Sequence, residues 1–112
     1  MTKLEYLANI CSPLVSFKED FEYYQEEKKC FIEQKSYEYF LNIYQSLVKV
    51  QNFIQKENLE ELESVIKYYT NLLYNIVNAK YNTSNEKVLK IQFMIKGLFH
   101  IEKTLTKYIS CH

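Results

Sequence analysis

Glycine and proline are almost missing from this 112-residue sequence, which contains one of each, Gly97 and Pro13. Antiparallel sheets need a tight turn at every reversal, and those turns draw on Gly, Asn-Gly and Pro. A sheet protein is therefore excluded, and long helices joined by a few short loops remain. Arginine is absent, so all 14 positive charges are lysines, and they balance 14 acids to a net charge of zero. Nucleic-acid binders usually carry a basic excess and use the planar arginine fork on phosphates and guanine. Both absences count against nucleic acid as the partner. No apolar stretch approaches the roughly 18 residues of a membrane span. The first 15 residues lack the apolar core of a signal peptide, because Glu5, Asn9 and Pro13 interrupt them. The three cysteines, Cys11, Cys30 and Cys111, are odd in number and show no CxxC spacing. A disulfide framework is not expected, and a reducing, cytoplasmic setting is.

What is present is typical of a globular chain: 47% hydrophobic and 25% charged residues. The length is that of a single domain spanning 1–112, able to bury roughly two-thirds of its unfolded surface. Eleven tyrosines stand out. Tyrosine favours interfaces, but its spread along the chain, with abundant Lys, Asn and Ile, matches the codon bias of an A+T-rich genome.

Apolar periodicity predicts the helices. Leu4, Leu7, Ala8 and Cys11 predict a short first helix that ends before Pro13, since a residue preceding proline avoids helical geometry. Ser12 then caps a second helix with Pro13 at its first position, or Ser16 and Glu19 form a capping box one turn later. Leu14, Phe17, Phe21, Tyr24 and Phe31 make its stripe. The phase slips near residues 34–37, where Ser36 is the expected cap, although a continuous helix stays open. Phe40, Ile43, Leu47, Val50 and Ile54 form the next stripe. Asn58 is expected to open the following helix, with Glu60, Glu61 and Glu63 near the positive end of its dipole. Leu59, Leu62, Ile66, Tyr69, Leu73 and Ile76 follow a heptad, and Val65 and Leu72 widen it to a bundle stripe. Residues 81–85 read as a loop, with Thr83 and Glu86 as a capping box. Val88, Ile91, Ile95, Leu98, Leu105 and Ile109 line the last helix. The expected fold is all-α, an antiparallel four-helix bundle with a short extra N-terminal helix.

Catalytic chemistry lacks its residues. There is no GxGxxG, P-loop, HExxH or GxSxG. A di-iron bundle needs Glu-x-x-His pairs, and the residue three before His100 is Gly97. Cys111 and His112 are a terminal pair with two ligands at most. His100, in the stretch Leu98-Phe99-His100-Ile101, has no neighbour that would activate it as a phospho-acceptor. The expectation is a non-enzyme without metal or cofactor.

Two surfaces remain. Glu19, Glu22, Glu26 and Glu33 fall on one face of the predicted second helix, where like charges at i,i+3 and i,i+4 each cost about 0.2–0.5 kcal/mol in an isolated helix. Lys18 and Lys29 neutralise part of it. The first 63 residues carry 12 acids and 7 lysines, and the remaining 49 carry 2 acids and 7 lysines. On the last helix, Leu89, Phe93 and His100 point away from the core beside Lys96, Lys103 and Lys107. These features predict a binding module that inhibits, neutralises or chaperones another protein, of the sort that phages, viruses or plasmids encode. Self-association into a homodimer through the last helix is the alternative, and an accessory nucleic-acid-binding subunit is the weaker one. Membrane binding by the last helix would require its apolar face to leave the core.

Overall fold

The computed structural model describes residues 2–78 and 84–111. These form five α-helices: α1 (Lys3–Tyr23), α2 (Lys28–Gln34), α3 (Tyr37–Lys56), α4 (Glu60–Val77) and α5 (Ser84–Cys111), with a 3-10 turn at Gln25–Glu27 between α1 and α2. No strand occurs among the described residues. The contacts close a ring in which α1 packs on α3, α3 on α4, α4 on α5 and α5 on α1, while the short α2 lies against α5 and α1. At 28 residues and 1.5 Å per residue, α5 is about 42 Å long. That is the full 42 Å length of the molecule.

The first helix departs from the sequence expectation. It does not stop before Pro13 but runs through it, so Ser12 is no cap and there is no separate N-terminal helix. Leu7, Ile10, Cys11, Phe17 and Phe21 lie along one buried face. Burying each such side chain is worth about 1.5–3 kcal/mol, which outweighs the local preference of a residue before proline. Pro13 lies on the exposed side, where the backbone bond that it cannot donate is not needed by the core. Thr2 caps the helix instead, its hydroxyl accepting from the Glu5 amide at 3.1 Å. The buried Ser46 hydroxyl of α3 donates to the Ile10 carbonyl, which ties α3 to α1 just before the proline.

The expected second stripe is split. Phe17 and Phe21 belong to α1 and Phe31 to α2, with the chain reversing through residues 24–27. The rings still meet. Phe17 lies 6.1–6.3 Å, centroid to centroid, from Phe21, Phe31, Tyr39 and Phe40, and so joins α1, α2 and α3. The break at residues 34–37 is a turn: Lys35 is extended and the Ser36 hydroxyl accepts from the Tyr39 amide at 3.2 Å.

Asn58 is also corrected. It ends α3 rather than opening α4. Its φ of 58° is left-handed, a conformation that asparagine tolerates better than most residues. The Asn58 amide reaches the Gln55 carbonyl and the Leu59 amide the Ile54 carbonyl, both at 3.1 Å. This pair of bonds is a Schellman closure. Glu60, Glu61 and Glu63 then occupy the first turn of α4, where the dipole favours acids. Val65, expected in the core stripe, is exposed, whereas Leu72 is buried. The expected capping residue Thr83 and most of the expected loop lie outside the described residues.

Candidate functional site

Along α5, Ile91, Met94, Ile95, Leu98, Ile101 and Leu105 are buried. They repeat every three or four residues and fix the helix on the core. The same rotation turns the expected outer strip to solvent: Leu89 is 66% exposed and Phe93 53%, and Lys96, His100, Lys103 and Lys107 are exposed with them. Among the described residues, neither the N-terminal segment nor a neighbouring helix covers the two apolar residues completely. Phe93 meets the rings of Tyr68 and Tyr69 at 6.2 and 5.9 Å. Tyr68 is exposed as well, so the apolar area continues from α5 onto α4.

Phe99 is a further exposed aromatic, 45% accessible, that the sequence pattern did not single out. The Lys18 ammonium of α1 lies 3.9 Å from its centroid and that of Lys103 5.5 Å. Beside Phe99 an apolar cleft of about 270 Å³ opens between α1 and α5.

The four acids of the other candidate surface do not share one helix face. Glu19 and Glu22 are on α1, Glu26 is in the 3-10 turn and Glu33 is on α2. All four are exposed. The one continuous helix that would have aligned them is interrupted at residues 24–27. Glu22 instead joins the other surface, since it borders a shallow groove with Leu89, Phe93 and Lys96.

The cysteines are unpaired. Burial, reinforced by the nearby Glu102 carboxylate, pushes the Cys11 thiol up to about 12. A thiol that stays protonated is a poor nucleophile. In the native protein at pH 8, Ellman's reagent is expected to titrate Cys30 and Cys111, both exposed, with Cys11 reacting only on unfolding. Three equivalents released at once from folded protein would contradict the buried position of Cys11. Among the described residues no group of three metal-ligating side chains occurs, and no helix is long and apolar enough to cross a membrane. His112 of the terminal Cys-His pair lies outside the described residues. No protein-family model, curated protein or solved structure matches this chain.

Proposed function

We propose that the protein acts by binding another protein through the outer face of α5, as a non-catalytic inhibitor, neutralising protein or chaperone. The observation that carries this reading is the exposed apolar strip Leu89–Phe93, extended by Tyr68 and flanked by Lys96, His100 and Lys103. Scattered exposed hydrophobics are ordinary, but contiguous ones rimmed by charge mark interaction sites. Aromatic residues in such strips supply most of the binding energy. The reading places the four long helices in an antiparallel bundle, with α5 as the helix that faces the partner. The unpaired cysteines fit a reducing compartment. A homodimer through α5 is the alternative.

The experiment compares wild type with Leu89→Asp/Phe93→Asp, each tagged and expressed in the native host. Wild type is expected to capture a partner stoichiometrically. The variant is expected to lose it by at least about 30-fold in affinity, as loss of a hot-spot aromatic does, while it stays folded, since neither side chain belongs to the buried core; circular dichroism checks this. A partner retained by the variant would remove the α5 face from the reading. Light scattering of the isolated protein distinguishes the alternative: a stable dimer, dispersed by the same variant, would replace partner binding with self-association.

A further inference from the structure

We propose that the partner offers α5 an acidic amphipathic helix of about 18 residues, whose apolar end covers Leu89 and Phe93 and whose carboxylates pair with Lys96, Lys103 and Lys107. This deepens the partner-binding reading and rests on it. The outer strip of α5 runs in two sets spaced by seven residues, Leu89, Lys96 and Lys103 in one and Phe93, His100 and Lys107 in the other. All six side chains are exposed. Seven-residue spacing is the repeat at which two helices stay face to face over several turns. From Leu89 to Lys107 the strip rises about 27 Å at 1.5 Å per residue. A helix of equal length follows it turn for turn, whereas an extended segment, with a period of two, does not match it.

Charge sets the chemistry. The strip is graded along its axis, with both apolar residues toward its N-terminal end and the lysines after them. Glu102 is the sole acid from residue 89 to residue 111, and it lines the α1–α5 cleft instead. Among the described residues no ion pair involves Lys96, Lys103 or Lys107. Glu22 and Lys28 border the apolar end together and offset each other, so the positive excess belongs to the C-terminal half. Three ammonium groups along one line suit carboxylates on a facing helix. Exposed charge pairs add specificity and association rate more than affinity, so Leu89 and Phe93 hold the partner and the lysines select it. A nucleic-acid backbone would use the lysines but leave both apolar residues bare, and the chain has no arginine to fork a phosphate.

The test selects displayed helical peptides of about 18 residues, randomised along one face, against the full-length protein. Enriched peptides are expected to carry acids at one end and two large apolar residues at the other, with dissociation constants on the order of 1–100 μM. Lys96→Glu/Lys103→Glu/Lys107→Glu is expected to weaken them by about tenfold or more, and peptides with lysine in place of the acids to regain binding to that variant. On wild type, raising salt from about 0.05 to about 0.5 M should weaken the acidic peptides by a similar factor, a readout that does not depend on the variant. No enrichment, or tighter binding of duplex DNA or anionic vesicles at the same salt, would overturn the proposal. Peptides that need Leu89 and Phe93 but carry no acids would overturn the acidic helix and leave the α5 face standing. Peptides indifferent to Leu89→Asp/Phe93→Asp would overturn the proposal by placing their site elsewhere, and the native partner's response to the same variant decides the α5 face separately.

Discussion

Phe17→Ala is expected to cost about 3–5 kcal/mol of folding stability, the range for deleting a buried aromatic. Domains of this size are stable by only about 5–15 kcal/mol, so the variant should lose a large share of its stability. Phe17 is 1% exposed, and its ring is the shared neighbour of Phe21, Phe31, Tyr39 and Phe40. Removing it leaves a cavity where three helices meet, and the surrounding rings are too rigid to fill it. Urea denaturation measures the loss as a fall in midpoint at constant slope. The matched control is Tyr23→Ala in the same helix, a side chain facing solvent, which should change stability by less than about 0.5 kcal/mol. A loss below about 1 kcal/mol at Phe17 would mean that the aromatic cluster does not hold α2 in place.

Gly97→Ala gives the second large effect, and its sign runs against helix propensity. Alanine in place of a mid-helix glycine ordinarily gains about 0.5–1 kcal/mol. Here a β-carbon would overlap the ring of Tyr69, which is itself buried and wedged beside Phe93. Overpacking of this kind costs about 1–3 kcal/mol. The clash wins, so the net expectation is a loss of about 1–2 kcal/mol in chemical denaturation. The double variant Gly97→Ala/Tyr69→Leu separates the two contributions. With the ring gone, alanine at 97 should be neutral or stabilising relative to Tyr69→Leu alone, and the coupling should reach about 1–3 kcal/mol. Additive effects would show that glycine is present for another reason.

These positions also show what the sequence can and cannot disclose. The core faces of α3 and α5 were legible because a helical period needs no knowledge of the partner: Phe40, Ile43, Leu47 and Val50 recur at the right spacing whatever they pack on. For the same reason Leu89 and Phe93, off that spacing, were readable as exposed. The course of α1 was not legible. The residue-before-proline rule is local, whereas the burial of Leu7, Cys11, Phe17 and Phe21 on one continuous face is a tertiary effect that overrides it. Asn58 was ambiguous in kind, since asparagine serves equally as an N-cap and as a left-handed terminator. Only the hydrogen bonds of Leu59 and Asn58 distinguish the two. The acidic face failed for a geometric reason, because its alignment required a helix that breaks at residues 24–27. The cleft and the meeting of Lys18 with Phe99 depend on the register between helices at opposite ends of the chain, which no local pattern encodes. The role of Gly97 likewise rests on where Tyr69 lands.

The link between α3 and α4 has a kinetic consequence. Only residues 57–59 separate these helices, and the Schellman closure at Asn58 already directs the chain into its reversal. This hairpin of two long helices pays little loop-closure entropy, so its contacts are expected to form early. Joining α1 to α5 instead closes a loop over nearly the whole chain and comes last. The α1–α5 seam, which packs less extensively than the α3–α4 hairpin, is expected to separate at lower free energy, and hydrogen exchange of its amides checks this; the wall that opens first would be the wall that contains the cleft.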